Sequence, residues 1–455
     1  MPPLLSRRAS LPLLAAALLL SLQACASAPL PPPQGAPAAA GKAPDGREPL
    51  EASLALELPW ERVLEGVLER SPAVAAARAR WKAALERHPQ EVSLPDPMVE
   101  FLYYTRHSSN PDAPRRLDTM VTQTIPFPAT LSLRGDRALL EADLERLRYD
   151  AALRDAVVEA REAWLEIGYL DRARGVLEEQ EGVYARFAEA AATDLAVGRA
   201  KLPEETRARA LLSQAANDRL VVEDLRRVEE QRLRALLALD PSSPLGPPPA
   251  AGLLRLEATL ADVLARAETR SQEIAMAGVS LEMAGIERSL ARWEFAPELE
   301  VGGTWLRNME DASGEFMGGR GVNLGLTVPL WIPAKTARIR EAEAREAAAG
   351  ADRAAAVEKV RAEATRLYFR QVNGARLVAL YRDVLLPQAE GSLAFAESLY
   401  REGQGSLAGA LEAAAARQNL LLAYHRAGAD HGQAVARLEQ VVGATLAAPA
   451  AEGDR

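Results

Sequence analysis

The residue with the clearest chemical role in this sequence is Cys25, the single cysteine of the chain. An arginine pair, Arg7-Arg8, and an apolar stretch, Leu11 to Leu20, precede it, as in a secretory signal peptide. The residues Leu22-Gln23-Ala24-Cys25 then resemble a bacterial lipobox, in which the cysteine thiol carries a diacylglycerol. Ala26 follows instead of an aspartate, which favours sorting to the outer membrane. We therefore predict a signal peptide and lipidation of Cys25, with an ordinary signal peptide and an incidental cysteine as the alternative.

Other side chains offer little for catalysis or metal binding. One cysteine excludes an intrachain disulfide and a cysteine-based metal site. The run Gly318–Gly321 leads into a strand and is interpreted as a loop, not as a phosphate-binding turn. The net charge of −9 and the lack of a Lys/Arg-rich run argue against a nucleic-acid partner. We predict no enzyme, metal site or cofactor, since acids or cysteine at ligand spacing are also missing around the histidines, His88, His107, His425 and His431.

The elements that must position any functional residue come from a pattern that occurs twice. Residues 121–128 and 322–333 alternate apolar and polar residues, as a strand with one apolar face requires, and end in paired prolines. Each is followed by a stretch rich in Ala, Glu, Arg and Leu, at 129–197 and 334–402, which predicts a helix about 100 Å long. Pro126 and Pro329 are 203 positions apart, and Gly198 and Gly403 are 205 apart. The chain is therefore a tandem duplication.

Each half is predicted to contain helices, a β-hairpin, a long helix and a return helix, so the fold class is mainly α with a small β part. In the first half these are helices over 60–70 and 72–91, strands at 98–105 and ending at 125, and a return helix over 203–239. In the second half they are helices over 256–270 and 272–295, strands over 298–306 and 322–328 around a loop at 308–321, and a return helix over 407–442. The predicted domains are a signal peptide (1–24), a Pro/Ala-rich tether (25–56), a first repeat (57–239), a linker (240–256), a second repeat (257–443) and a flexible tail (444–455).

The strands have the character of membrane-facing elements. Val322, Leu324, Leu326 and Val328 alternate with polar residues, and Leu299, Val301 and Trp305 oppose Glu298, Glu300 and Thr304. Four strands in two hairpins leave free edges, which lipid does not tolerate. Aromatic residues near the strand ends fit interfacial girdles; they are Tyr103, Phe127, Trp305 and Trp331. The sequence thus predicts a transmembrane β part, although a soluble hairpin capping a coiled coil would also alternate.

The element order, the duplication, the strand-Pro-helix junctions and the turn from Tyr400 to Gly403 together resemble the TolC family of outer membrane efflux proteins, over residues 57–443. This resemblance implies a homotrimer whose chains form a 12-stranded β-barrel in the outer membrane, continued by an α-helical barrel in the periplasm. It also implies that the helical tip docks on a periplasmic adaptor, a membrane fusion protein, and on an inner-membrane pump. The expected function is the exit duct of a tripartite efflux system, anchored to outer membrane lipid through Cys25.

The resemblance assigns roles to the turns between long and return helices. Gly198 and Gly403 are expected to reverse the chain, since glycine commonly ends helices in a left-handed conformation. Tyr400 and Gly403 match the motif that an adaptor grips, whereas Leu195 replaces the tyrosine in the first copy. A cap without a docking role remains the alternative.

Acidic residues follow each turn, namely Glu204 and Glu205 in the first copy and Glu412 in the second. By the resemblance, Glu204 and Glu412 are expected to line a cation-selective entrance, although Gly409 occupies the position where the family often has an earlier acid. A solvated helix face is the other interpretation. Pro387, which corresponds to Gly182, predicts a kink or a hinge in the second long helix.

The exported substrate stays open at this stage. The phrase Thr122–Pro128 and the Asp96-Pro97-Met98 junction resemble the branch that serves heavy-metal resistance pumps. Met98, Met120, Met309 and Met317 near the hairpins fit soft-metal contacts and equally fit packing or loop positions. Drug efflux and type I protein secretion use the same kind of duct. A non-conducting, lipid-anchored coiled-coil scaffold is the alternative of a different class, which polar residues on both hairpin faces would favour.

Overall fold

The computed structural model of this chain describes residues 50–104, 116–196, 202–249, 254–256, 258–308, 318–446 and 448–449. Several predicted features lie outside these residues. They are the signal peptide, Cys25, most of the tether, His107 and the turn residue Gly198. Within them the chain is mostly helical with a small sheet, which confirms the predicted fold class. Of the helices in this part of the chain, none combines the length and apolar composition that a membrane span needs.

Long helices of Ala, Glu, Arg and Leu dominate the described residues, as their composition predicts. In chain order the helices are α1 (Leu50–Leu56), α2 (Trp60–Arg70), α3 (Pro72–Leu85), α4 (His88–Glu91), α5 (Pro128–Ala196), α6 (Leu202–Leu236), α7 (Leu260–Arg270), α8 (Gln272–Trp293), α9 (Ile332–Leu380), α10 (Leu386–Arg401) and α11 (Leu407–Val442).

Local side-chain chemistry sets several helix ends. Thr259 and Asp262 form a capping box at the start of α7, which satisfies backbone N–H groups that the first helical turn leaves without partners. The Ser406 hydroxyl accepts a hydrogen bond from the backbone N–H of Gly409 at 3.1 Å and starts α11. Gly443 ends α11 in the left-handed region, with φ 80°.

One antiparallel sheet contains strands β1 (Met98–Tyr104), β2 (Arg116–Ile125), β4 (Leu299–Asn308) and β5 (Gly318–Leu326), in the order β1-β2-β4-β5. The two hairpins are joined because β2 pairs with β4 over ten residues, Arg116 opposite Asn308 and Ile125 opposite Leu299. Within the described residues, β1 and β5 each pair on one side only. A separate two-residue pairing joins β3 (Leu254–Arg255) to β6 (Ala448–Pro449).

The structure corrects the predicted helix bounds in the helical segments before the strands. The helix expected over 60–70 matches α2, but the helix expected over 72–91 is interrupted at 86–87, between α3 and α4. Pro89 explains this interruption, since it has no N–H to continue the hydrogen-bond ladder. The helix expected from residue 256 begins at Leu260 instead, because Thr259 is the residue that caps it.

Segments predicted to be irregular also contain ordered elements. The predicted tether (25–56) ends in α1, whose Leu50 and Leu54 are buried. The predicted flexible tail contributes Ala444 and Leu446 to a hydrophobic cluster before it pairs as β6. The run Gly318–Gly321, predicted as a loop, forms the start of β5, since pairing with β4 outweighs the weak strand preference of glycine.

The second long helix is interrupted where Pro387 predicts a kink. A π-helical turn, Tyr381–Leu385, separates α9 from α10, and the N–H of Leu386 bonds to the carbonyl of Tyr381. The proline supplies the cause because its ring blocks the regular bond to residue 383. The corresponding Gly182 lies within the uninterrupted α5, so the expected weakening is seen in the second copy alone.

The described chain forms two compact units, and each draws on both predicted repeats. One unit contains the sheet together with residues 79–146 and 276–354, and the other contains residues 147–275 and 355–446 with the preceding helices. The boundaries of the sequence repeats stay a prediction.

Candidate functional site

The turn between α10 and α11 is built around two glycines. Gly403 has φ 72°, as predicted for a residue that reverses the chain after a helix. The N–H groups of Gln404 and Gly405 both bond to the carbonyl of Leu399 at 2.9 Å, and that of Gly403 bonds to the carbonyl of Tyr400 at 3.1 Å. A β-carbon at Gly405 would lie 2.9 Å from that of Leu399, whereas one at Gly403 would meet nothing within 4 Å. Gly403 is therefore needed for its conformation and Gly405 for its lack of a side chain.

Tyr400 connects this turn to the first repeat. Its ring meets that of Phe187 edge to face, with centroids 6.0 Å apart and planes at 68°, an arrangement favoured by the charge distribution of aromatic rings. Phe187 belongs to a hydrophobic cluster, rich in alanine, that is built from α5, α6 and α11, and Tyr400 of α10 packs against this cluster. Its buried members are Tyr184, Phe187, Ala188, Ala191, Ala208, Ala215, Leu407, Ala410, Leu411 and Ala414. The close packing that alanines allow holds the four helices together at this end.

Glu412, one of the two predicted entrance carboxylates, has a partner that the sequence analysis missed. Its Oε1 accepts a hydrogen bond from Nη2 of Arg207 at 3.1 Å, and the side chains are 68% and 52% exposed respectively. The pair joins the two return helices, α6 and α11. A signal existed in the sequence, since Arg207 and Glu412 are 205 positions apart and thus occupy equivalent places in the two repeats.

Glu204 and Glu205 have different environments in the first turn of α6. Glu204 is half-buried, whereas Glu205 is buried and forms an ion pair with Arg209, whose Nε lies 2.5 Å from Oε1 of Glu205. Both carboxylates lie near the positive end of the helix dipole, where negative charge is stabilised. Gly198, the first-copy turn residue, lies outside the described residues.

Ion pairs fix which helices are neighbours. Acidic residues of α5 pair with arginines of α6 on one side, as in Asp171 with Arg226 at 2.6 Å. On the other side they pair with arginines of α11, as in Glu166 with Arg426 at 2.6 Å. Burial lowers the pKa of Arg426, but hydrogen bonds to Glu166 and Asp430 outweigh burial and raise that pKa above its ordinary value. Because α10 in turn packs on α11, the helix order away from the turn is α6, α5, α11 and then α10 with α9, whereas near the turn α6 and α11 also meet through Arg207 and Glu412.

The two helices at the ends of this order expose apolar side chains. On α6 they recur along one face, at Leu220, Val221, Leu225 and Val228. At the other end of the order, along α9, the π-helical turn and α10, the exposed apolar residues are Phe369, Leu377, Leu380, Val384 and Phe395. We call these the α6 stripe and the α9–α10 stripe. Aliphatic and aromatic groups in such rows commonly mark protein interaction surfaces.

One face of the sheet is mainly apolar, and its apolar side chains are exposed on β1 and β5, partly exposed on β4 and half-buried on β2. Val322, Leu324 and Leu326 of β5 are 86%, 74% and 61% exposed. The register places Val99, Val121 and Gly303 in line with Val322, so the predicted face assignments are correct. Trp305 lies on this face, and its ring covers Gly303. The exposed apolar face argues against the scaffold alternative, which requires polar residues on both faces.

The opposite face is polar in its centre. The Thr304 hydroxyl donates a hydrogen bond to Oδ1 of Asn323 at 3.0 Å, and Nδ2 of Asn323 donates to the sulfur of Met120 at 2.7 Å. The sulfur of Met120 therefore accepts a hydrogen bond within the sheet. Met309 and Met317 lie outside the described residues. Across the described ranges, no group of His, Cys, Asp and Glu is arranged to hold a metal ion.

The sequence profile of the outer membrane efflux protein family matches residues 63–239 and 263–444. The chain therefore belongs to the outer membrane efflux protein family. Members of this family are channels rather than enzymes, which confirms the prediction that this chain is not an enzyme. They are outer membrane channels that extend into the periplasm, so membership supports an efflux exit duct. No curated protein matches the chain in sequence.

Solved structures share the fold. The outer membrane protein VceC from Vibrio cholerae is 17% identical with a TM-score of 0.72, over 85% of this chain and 96% of VceC. A membrane protein from Pseudomonas aeruginosa is 16% identical with a TM-score of 0.76, over 87% of this chain and 92% of its own. The open-state outer membrane channel MtrE from Neisseria gonorrhoeae is 17% identical with a TM-score of 0.71, over 85% and 89%. At these identities the likeness establishes the fold.

Proposed function

We propose that this chain is the outer membrane exit duct of a tripartite efflux system that exports small toxic solutes. The observation that carries the proposal is the four-stranded sheet with an exposed apolar face and pairing on one side only at β1 and β5. In lipid, each unsatisfied backbone group at such an edge costs several kcal/mol. Three copies that pair β5 of one chain with β1 of the next satisfy both edges and form a 12-stranded barrel.

The helices support the same assembly. The α6 stripe and the α9–α10 stripe lie on opposite ends of the helix order, so one copy can cover the α6 stripe of its neighbour with its own α9–α10 stripe. Such a head-to-tail contact forms a closed ring when the rotation between copies closes. We infer a homotrimer in which the helices of three chains continue the duct.

Native mass spectrometry of the detergent-solubilised protein tests this assembly. The wild type is expected at three times the chain mass, and Leu225→Glu/Val228→Glu is expected to shift it toward single chains, since burying two carboxylates in an apolar contact is costly. Leu56→Glu is the matched control, because Leu56 is exposed but belongs to neither stripe. Trimers that persist in the double variant would contradict this interface.

Passage of solutes tests the duct itself. Liposomes that contain the purified protein are expected to swell in iso-osmotic solutions of small sugars, whereas empty liposomes do not. Export by the assembled system further requires an adaptor and a pump at the helical end. Trimeric protein that leaves liposomes impermeable, even after Arg207→Ala/Glu412→Ala has removed the ion pair at the turn, would contradict the duct.

The turn at Tyr400 and Gly403 is the proposed docking point for the adaptor, with Gly198 as its first-copy counterpart. The support is family membership together with a hydrogen-bonded turn in which Gly403 is exposed. Tyr400→Ala is expected to lower the amount of adaptor that co-purifies with the protein from cells, and Gln388→Ala, an exposed position on the same helix away from the turn, is not. Equal recovery in both variants would overturn this assignment.

Glu204 and Glu412 are proposed to line the periplasmic entrance. Three copies of each would concentrate negative charge there, and the salt bridge to Arg207 offsets part of that of Glu412. Glu204→Gln/Glu412→Gln is expected to lower cation selectivity in channel recordings. Unchanged selectivity would remove this role.

Two further proposals concern the lipidation of Cys25 and the role of the π-helical turn. Lipidation of Cys25 predicts an intact mass that is larger by a diacylglycerol and an acyl chain, which Cys25→Ser abolishes.

We also propose that Tyr381–Leu385 acts as a hinge when the duct opens. Pro387→Ala is then expected to slow hydrogen exchange across 381–387, since the added N–H restores a helical bond; unchanged exchange there would contradict the hinge.

A further inference from the structure

The sheet face opposite the exposed apolar face carries two exposed carboxylates, Glu100 and Glu300. The register places Glu100 of β1 opposite Met120 of β2, and Met120 opposite Thr304 of β4. Glu300 lies on the same strand as Thr304, four residues earlier, so its side chain leaves the sheet on the same face. At a rise of about 3.3 Å per residue, the two carboxylates lie at levels about 13 Å apart along the strands.

These carboxylates are available to solvent. Glu100 and Glu300 are both exposed, and neither forms an ion pair with any residue in the described ranges. The Oε2 atom of Glu300 lies 3.1 Å from the place where a β-carbon of Gly325 would be, so the glycine leaves room for the carboxylate. Within the paired residues of β1, β2, β4 and β5, the other two charged residues of this face, Arg116 and Asp118, bind each other at 2.6 Å and balance in charge.

We propose that Glu100 and Glu300 make the membrane-embedded end of the duct selective for cations. The proposal rests on the proposed function, because only the closure of three sheets turns this face toward a lumen. Twelve strands spaced about 4.8 Å apart and tilted by about 40° enclose a bore roughly 24 Å across between backbones. The glutamate side chains extend from the barrel wall and bring their carboxylates closer to the barrel axis. The Debye length of about 10 Å at 0.1 M salt then spans most of the distance that remains between the carboxylates and the axis.

The physical consequence is a negative potential along the barrel. Three copies of each glutamate attract cations and repel anions, as rings of carboxylates do in cation channels. The effect adds to that of the carboxylates proposed for the periplasmic entrance. It also predicts strong salt dependence, because at 0.01 M the Debye length grows to about 30 Å and covers the whole bore.

Reversal potentials in a tenfold KCl gradient test the proposal. The recordings use the full-length trimer in the Glu204→Gln/Glu412→Gln background, so that the carboxylates proposed for the entrance do not mask the barrel. Adding Glu100→Gln/Glu300→Gln is expected to lower the potassium-to-chloride permeability ratio by at least about twofold at 0.01 M, and much less at 1 M. Each single glutamine variant is expected to give an intermediate ratio, and Glu100→Asp/Glu300→Asp is expected to retain it.

Glu61→Gln/Glu69→Gln is the matched control for net charge, since both residues are exposed carboxylates on α2; it is expected to leave the ratio unchanged. A channel of normal conductance whose ratio does not fall in the glutamine variants would overturn the role of Glu100 and Glu300 and leave the duct intact. A wild-type trimer that does not conduct would instead overturn the proposed function.

Discussion

Nη2 of Arg207 lies 3.1 Å from Oε1 of Glu412, and the two residues occupy equivalent positions of the two repeats, 205 residues apart. Duplicated positions that have diverged to opposite charges thus bind each other where the return helices meet. Both side chains are more than half exposed, so water screens their attraction. Such pairs contribute about 0–1 kcal/mol, which is small enough for the contact to open and close readily.

Breaking this ion pair is expected to favour an open periplasmic end. In single-channel recordings, Arg207→Gln or Glu412→Gln should raise the open probability, by up to about fivefold for a loss of about 1 kcal/mol. The charge swap Arg207→Glu/Glu412→Arg should restore the wild-type value, because it keeps the attraction and reverses the charges. Single variants that match the wild type would show that the pair does not hold the end closed.

Substitutions at the two turn glycines should differ in their cause. Gly403→Ala places a side chain at φ 72° in open space, so it costs about 1 kcal/mol through backbone strain, and Gly403→Asn should cost less. Gly405→Ala instead brings a β-carbon to within 2.9 Å of Leu399 and requires the turn to move. Hydrogen exchange across 399–406 should therefore rise most for Gly405→Ala. Faster exchange in Gly403→Asn than in Gly405→Ala would contradict this distinction.

Removing the Tyr400 ring should loosen the end of α10. Tyr400→Ala loses the edge-to-face contact with Phe187 and part of the apolar contact with the cluster around it, about 1–3 kcal/mol in total. Tyr400→Phe keeps the ring and is the control. The measurement is local hydrogen exchange in α10 and α11, where only the alanine variant should exchange faster; equal exchange in both would rule out the ring contact as the cause.

Acid should weaken the helical unit through His425. Burial, with a smaller contribution from Arg172, lowers the pKa of His425. Below its unfolded value of about 6.5, the unfolded chain binds a proton more readily than the folded one, so stability falls as the pH drops through this range. The thermal midpoint of purified protein should therefore decrease less between pH 7.5 and 5.5 in His425→Gln than in the wild type. Parallel decreases would show that other groups dominate.

The sequence predicted the elements whose signal is local and periodic. The α2 and α11 bounds, the β1 and β4 strands and the left-handed Gly403 all follow from apolar spacing or from helix-ending chemistry. The elements that depend on distant partners were missed. The helix α1 is stabilised by burial of Leu50 and Leu54, and β6 exists because Leu254 and Arg255 pair with it.

The candidate site shows the same division. Glycine content predicted a loop at 318–321, but ten-residue pairing between β2 and β4 extends the sheet far enough for β5 to begin there. The contacts of Tyr400 with Phe187 and of Glu412 with Arg207 join residues more than 200 positions apart, which no local pattern specifies. For the ion pair, aligning the repeats would have shown the opposite charges, although not that the two side chains meet.

Single-channel conductance of the full-length protein, purified from membranes in detergent and added to a planar bilayer, tests the central claim most directly, with chemical cross-linking to count the chains. The account predicts a trimer that gives discrete, cation-selective steps, larger or longer in the Arg207→Gln variant. A monomer, or a trimer that stays silent both as wild type and with the ion pair removed, would contradict it and leave a lipid-anchored scaffold as the better explanation of the long helices.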